Sequence, residues 1–487
     1  MNKFSAKRAK EQSQMSLRLG LGKEIKAKFD GDGVCSDGGL LLLRKADEKL
    51  ELSELASLAL RDQRTGPVKH EIVSLLRQRI YAIAAGYEDC NDASELRTDA
   101  MHQLALGFDP SSGHALASQP TLSRFENSVD EVALECLQTL LIHVFVRSHK
   151  RAPRVIRLSM DTTHDEVHGY QQLSFYNGFY ETDCFTPLFI FAGDGFPLCA
   201  KLRAGNASPS DDAVRMLRKV VHNLRLAWAD VRIELTADAG FAVPEVYEFC
   251  ESNRVTYFIG TRSHNGLSYH AEELVQDCRA RFQELGYQPE PLKKYGGLLD
   301  PKSRQRAWRQ RQERIRYSSK AAGRMQEHFE EDWTVRRFCE FKYASREWSH
   351  ERRHIARCEY TQEGPDIRFV VTNARGSYPR RLYEEKYCQR ARCELWIKEL
   401  KTYLKCDRTS CQEFNANQFR LLLHTFAFVL ILQLRNAAGL PTANVETIRL
   451  RLLKVGVIVR ERTTQVLLSL AAQAAFRLSF ERAWKFL

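Results

Sequence analysis

Between Val155 and Gly260 the apolar pattern switches from helical spacing to strands, in the order strand, hairpin, helix, strand, helix, strand. Val155-Ile156-Arg157-Leu158-Ser159-Met160-Asp161 reads as a strand ending in an acid. Pro187 to Ala192 and Pro197 to Leu202 are apolar runs joined by Gly193-Asp194-Gly195, a hairpin signal. The next helix is expected to take Ser208 as N-cap and Pro209 as its first residue, with Asp211 and Asp212 in the first turn. Val231 to Ala237 is a second strand ending in an acid, Asp238, and a helix from Pro244 to Asn253 leads to the run Val255 to Gly260. Strands alternating with helices place this stretch in the α/β class.

The flanks read differently. Residues 1–150 are mostly helical, with Ile72, Leu75, Leu76, Ile80 and Ile83 at helical spacing after the turn-like Thr65-Gly66-Pro67. Ser118 to Asn127 has the form of a short capped helix. It is either an ordinary surface helix or one that presents Arg124 and its Ser, Thr and Asn neighbours to a DNA groove. The first core segment spans 151–260. An insertion with strand-like runs spans 261–365, a last core segment with a long helix beginning near Leu382 spans 366–436, and a basic helical tail spans 437–487.

Length and charge bound the class. At roughly 100–200 residues per domain, 487 residues suggest about three domains. Lys and Arg number 73 against 61 Asp and Glu, a net charge of +12 that favours a polyanionic partner. The stretch Lys293 to Arg324, with Arg304, Arg306, Arg309 and Arg311 at its centre, is opposed only by Asp300 and Glu313. It is either a solvated helix or a DNA-backbone contact whose binding falls steeply with salt. Met1 to Lys10 lacks the apolar segment of a signal peptide. The most apolar run, Leu421 to Leu434, suits a buried helix better than a bilayer span. Thirteen scattered cysteines fit reduced thiols. A cytoplasmic protein without a membrane partner is expected.

Asp161 and Asp238 sit where strands end, the edge at which ligands collect in open sheets. A third element is the helix containing Tyr387, Arg390, Glu394, Lys398 and Lys401. Rotating 100° per residue from Tyr387 puts Arg390 at about 300°, Glu394 at about 340°, Lys401 at about 320° and Lys398 at about 20°. One stripe then carries a phenol, a carboxylate and cations, while Glu399, at about 120°, points away. Two readings remain open: a solvated face with Glu394 paired to Lys398, or a binding stripe.

Together these residues resemble the DDE transposases of bacterial insertion sequences. Tyr387-x2-Arg390-x3-Glu394-x6-Lys401 matches the Y-R-E-K signature of the insertion-sequence 4 group. Met160-Asp161-Thr162-Thr163, Tyr176-Asn177-Gly178-Phe179-Tyr180, Leu202-Arg203-Ala204-Gly205-Asn206 and Ala237-Asp238-Ala239-Gly240-Phe241 are similar to the insertion-sequence 1380 group. The resemblance implies a ribonuclease-H-like core, a mixed sheet flanked by helices, interrupted by a largely β insertion between helical N- and C-terminal regions. It implies that Asp161, Asp238 and Glu394 hold two Mg²⁺ ions, with Mn²⁺ as substitute, for cleavage of element ends and joining of the 3′-hydroxyls to target DNA. Arg390 and Lys401 are then expected on DNA phosphates, Tyr387 on backbone or a displaced base, and a homodimer at synapsis. The rivals are a resolvase-like metal-dependent nuclease and a DNA-binding protein without catalysis.

Two weaker signals stand beside these. Cys388, Cys393, Cys406 and Cys411 make two C-x4-C pairs, read as packing thiols rather than a zinc knot. His164 and His168 flank Asp161, and His168 is read as a turn or supporting residue rather than a ligand.

Overall fold

Eight strands join one sheet: β1 (Val155–Thr162), β2 (Leu188–Ala192), β3 (Pro197–Lys201), β4 (Arg232–Ala237), β5 (Val255–Thr261), β6 (Val335–Tyr343), β7 (Arg352–Thr361) and β8 (Gly364–Thr372). Their spatial order is β6-β7-β8-β5-β4-β1-β2-β3. The computed structural model describes residues 15–17, 25–27, 33–284, 334–346, 348–472 and 476–487. Two units divide the chain: Leu58–Gln63 with Glu126–Val429, and Met1–Ser57 with Arg64–Phe125 and Leu430–Leu487.

In the larger unit, β1, β2 and β3 form an antiparallel meander, while β4 runs parallel to both β1 and β5. The order 3-2-1-4-5 with that polarity is the ribonuclease-H-like arrangement. Period-two alternation divides β1 and β4 into two faces. Ile156, Leu158 and Met160, with Ile233, Leu235 and Ala237, are buried on one face. The other carries Arg157 on Glu234 at 3.3 Å, then Ser159 on Thr236 at 3.0 Å. The next rung of this polar ladder is Asp161 beside Asp238.

Helix α1 (Glu131–Ser148) packs against β3 and against α2 (Ala213–Ala227). Of the stripe Ala213, Leu217, Val220, Val221, Leu224 and Trp228 that the spacing predicts, all are buried except Trp228, which is half-buried at the helix end. The start of α2 differs from expectation. The helix begins at Ala213, and the preceding Asp212 adopts a left-handed conformation at φ 59°. Residues 208–212 are a turn because the buried Arg203 guanidinium donates to the carbonyls of Ser208, Pro209 and Asp211 at 2.9, 3.0 and 2.7 Å. A helix from Pro209 would engage those carbonyls itself.

The insertion extends the core sheet, with β8 antiparallel to β5 and β7 and β6 beyond it. It is mixed rather than largely β among the described residues: the helices Asn265–His270 and Glu272–Glu284 pack Leu267, Leu274 and Cys278 against Val335, Cys358 and Phe369. The stretch Lys293 to Arg324, including Arg304, Arg306, Arg309 and Arg311, lies outside the described residues. After α3 (Pro244–Ser252) and the insertion come α4 (Ala391–Leu404) and α5 (Phe414–Ala437). Helix α5 is long and apolar enough to cross a membrane, but 94% of that stretch is buried inside the protein.

In the smaller unit the helix Ile72–Ala85 appears where periodicity places it, and a second helix spans Leu40–Leu50. The tail does not stay helical. Val457–Arg462 and Gln465–Leu470 form an antiparallel hairpin, and Val34–Cys35 pairs with its first strand. The β-branched run Val457-Ile458-Val459, preceded by Gly456, favours strand over helix. Asp37 is buried at the centre of this unit, accepting from Tyr87 Oη at 2.8 Å, His102 Nε2 at 3.1 Å and Lys454 Nζ at 2.7 Å.

Candidate functional site

Parallel pairing of β1 with β4 aligns Met160 with Ala237. Asp161 and Asp238 each follow one residue later, so they stand on neighbouring strands and on the same face. Asp161 is 7% exposed, and its Oδ1 accepts from the Thr162 amide at 2.9 Å. Asp238 caps the short turn Ala239–Phe241, its Oδ1 accepting from Gly240 N at 2.9 Å. Burial, with the charge of Asp238 adding to it, pushes the Asp161 carboxyl up to about 7. Arg390 opposes that rise, and Glu394 adds a smaller push in the same direction.

The helix bearing the third acid lies over the polar ladder. Cys393, Trp396, Ile397, Leu400 and Leu404 are its buried face, and Cys393 Sγ reaches the Ser159 carbonyl at 3.7 Å. Trp396 packs on the β2–β3 turn. A Cβ on Gly195, whose φ is +91°, would stand 2.7 Å from the indole nitrogen, so both conformation and space require glycine there. Lys386 Nζ pins the incoming segment to Glu234 at 2.9 and 3.0 Å.

The segment is not one uniform helix from Leu382. Leu382–Lys386 is a π-helical turn, Tyr387–Arg390 a 3₁₀ turn, and regular α geometry starts at Ala391. A constant 100° per residue therefore does not carry from Tyr387 into α4. The phenol of Tyr387 instead packs over β5, where a Cβ on Gly260 would come within 2.5 Å of its oxygen. Burial raises the Tyr387 hydroxyl, and Arg390 and Asp238 are among its charged neighbours. The phenol thus still reaches the site, by a different route from the one a single stripe implies.

Arg390 bridges two of the acids, with one nitrogen 3.5 Å from Asp161 Oδ2 and another 2.9 Å from Glu394 Oε1. The partner of Glu394 is thus Arg390 rather than Lys398. Glu394 keeps more than half of its side chain exposed. It borders a cavity of about 570 Å³ lined also by Asp161, Lys398, Lys401, Lys405 and Asp407. Among the described residues no three His, Cys, Asp or Glu side chains close around a common metal position.

Lys401 turns toward the β1 end. Its Nζ donates to the His164 carbonyl and to Thr163 Oγ1 at 3.3 Å, and stands 3.6 Å from Asp165 Oδ1. Asp165 is fully buried, and burial pushes its carboxyl up to about 7 against the pull of Lys401. Sequence reasoning missed Asp165. The available signal was an acid four residues after Asp161. His164 stacks its ring on Tyr180 at 4.2 Å, and His168 is exposed. Cys388 is exposed, whereas Cys393 and Cys406 are buried, and these cysteines form no metal cluster among the described residues. In the smaller unit, Ser118 precedes the helix Gln119–Glu126, whose Arg124 is exposed.

The sequence matches the family described as transposase DDE domain group 1 over residues 17–487. No curated protein matches the chain. A cryo-electron microscopy structure of the piggyBac transposase synaptic complex with hairpin DNA is similar over 86% of this chain and 79% of that one. The identity is 10% and the TM-score 0.39.

Proposed function

The chain belongs to the DDE transposase family, and on that premise we propose that it cuts the ends of its own insertion sequence and joins the freed 3′-hydroxyls to target DNA. The carrying observation is the β1–β4 register, which sets Asp161 and Asp238 side by side beneath the helix that bears Arg390 and Glu394. The subgroup proposed is the insertion-sequence 1380 type with the Y-R-E-K signature, in a bacterial cytoplasm.

The donor set fits hard divalent cations. Asp161 and Asp238 stand side by side at one sheet edge, Glu394 is linked to Asp161 through Arg390, and burial with a like charge raises the Asp161 carboxyl, a strain that a cation relieves. Asp161, Asp238 and Glu394 would hold two Mg²⁺ or Mn²⁺ ions, which when bound supply Lewis acidity to the attacking and leaving oxygens of a phosphodiester. Arg390 pairs with Asp161 and Glu394, and it would be free to pair with a DNA phosphate where a cation balanced those acids. Lys398 and Lys401 bring positive charge to the cavity through which the cut strand passes. Tyr387 borders the same edge and contacts backbone or a displaced base.

Residues 1–150, with Arg124 among them, would bind the terminal inverted repeats. Arg304, Arg306, Arg309 and Arg311 would lie along the DNA backbone, and two copies would act at synapsis. The test is an excision assay in cells carrying the gene with its native flanks, wild type against Asp161→Asn, with junctions sequenced. Excision and new insertions from wild type alone support the reading. Cleavage without joining supports a resolvase-like nuclease instead. Binding of the flanks without cleavage in any divalent metal supports a non-catalytic DNA-binding protein.

A further inference from the structure

The connection between β1 and β2 carries a cluster of rings for which the chemistry above has no use. Asp165–Glu166, Phe175–Asn177 and Thr182–Phe185 form a three-stranded sheet. On and around it Tyr176 is 63% exposed, Phe179 83% and Tyr170 96%. Single apolar side chains scatter over any protein surface, but large rings gathered on one hairpin mark a binding surface.

The hairpin is braced from behind. A Cβ on Gly205 would lie 2.1 Å from the Cys184 carbonyl oxygen and 2.4 Å from that of Phe175, so the 202–206 segment presses directly on its backbone. Asn177 Nδ2 donates to the Gly205 carbonyl at 2.7 Å, and Arg203, itself buried, donates to the Thr186 carbonyl at 2.7 Å. The preceding loop is tied down as well: Gln171 Nε2 donates to the Thr409 carbonyl at 2.6 Å, and Asn417 Nδ2 to Gln171 Oε1 at 3.0 Å. A braced frame presents exposed rings at little ordering cost to whatever binds them.

The rings lead to the acids. Tyr180 stacks on His164 at 4.2 Å and 24°, and Phe179 stands edge-on to Tyr180 at 4.9 Å. Asp161 and Asp238 are charged neighbours of the Tyr180 hydroxyl, and the His164 carbonyl holds Lys401. One end of the row therefore borders the acids and the lysine-lined cavity, and the other end, Phe179, opens to solvent.

We propose that this row is a stacking platform for an unpaired DNA base beside the phosphodiester held at the acids, with Phe179 as the ring the base meets. Aromatic faces next to a cationic track are the combination that takes single-stranded nucleic acid, because every base has a face to stack and every nucleotide a phosphate to pair. Paired DNA hides those faces within its own stack, so the rings select for opened ends. The inference rests on the transposase reading and adds a substrate state to it, an end whose terminal bases are unpaired.

The test uses the full chain and a duplex of the DNA flanking its gene, either fully paired or with a short unpaired terminus carrying 2-aminopurine. For wild type and Phe179→Trp, binding of the unpaired terminus quenches the 2-aminopurine emission. Phe179→Ala loses that quench and weakens binding of the unpaired form by about 5- to 150-fold, the range one stacked base contributes. Its binding to the paired form stays within about twofold of wild type. Equal losses on both forms, or a quench that persists in Phe179→Ala, overturn the platform while leaving the transposase reading intact. Wild-type protein that binds neither form overturns both.

Discussion

Asp37 in the smaller unit and Asp161 in the larger are both nearly inaccessible, at 1% and 7% exposure, yet their surroundings are opposite. Asp37 pays its desolvation and still ends at about 2, because His102, Lys454 and Tyr87 all stabilise the anion. Asp161 ends at about 7, because burial is joined by a second carboxylate and Arg390 offsets only part of the strain. A structural acid is buried together with its partners. Asp161 is buried beside another acid, and stability alone gives no reason for that arrangement. The contrast supports the proposal that the β1–β4 edge is the site of the chemistry.

The largest effect expected from this contrast is on activity. Asp161→Asn or Glu394→Gln should lower strand cleavage by about a thousandfold or more while leaving end binding in place, as a gel-shift and a cleavage assay run side by side will read. The comparison breaks if Asp37→Asn does the same at unchanged stability. Next comes Arg390→Ala, which should slow end processing by roughly 10- to 100-fold and change initial binding by less than about threefold. Equal losses would remove its proposed passage from acid to phosphate.

Stability should show the reverse order. Asp37→Asn leaves Lys454 and His102 without their anion and should cost about 3 kcal/mol in urea unfolding, whereas Asp161→Asn removes a strained charge and should cost less than about 0.5 kcal/mol. Mg²⁺ sharpens the same point without any turnover. At a hundredfold excess over its Kd it should raise the wild-type Tm by about 5 °C, and it should have no such effect on Asp161→Asn.

The acid limb is the smallest of these effects. The folded value of Asp37 lies below its ordinary 3.8, so its contribution is fully present above about pH 4 and is lost as pH falls through about 2. The loss amounts to about 2 kcal/mol. Asp37→Asn should flatten that limb of the stability profile, and an unchanged limb would show that other carboxylates control it.

Much of the core was legible in the residues because it is local. The runs ending at Asp161 and Asp238, the Gly193-Asp194-Gly195 hairpin and the stripe of α2 each declare themselves within a short window. Errors arose where a distant group overrode the local pattern. Pro209 heads no helix because Arg203 takes the carbonyls around it. The tail hairpin pairs with Val34–Cys35, more than four hundred residues earlier in the chain. The phase from Tyr387 to Glu394 failed because a π turn and a 3₁₀ turn lie around Tyr387. Asp165 was invisible because its burial, not its spacing, distinguishes it.

Sequence alone determined which side chains were available: the two strand-end acids, and a third acid spaced from an arginine and lysines on one helix. It determined the succession of strands and helices between Val155 and Gly260 too, since side-chain periodicity is set by backbone geometry over a few residues. Tertiary structure decided which of these groups meet. The parallel register of β1 and β4 put Asp161 beside Asp238, Arg390 fell between Asp161 and Glu394, and Tyr180 carried a row of rings up to the acids. Register, burial and the resulting charge balance depend on contacts between segments far apart in the chain, and no local pattern encodes them.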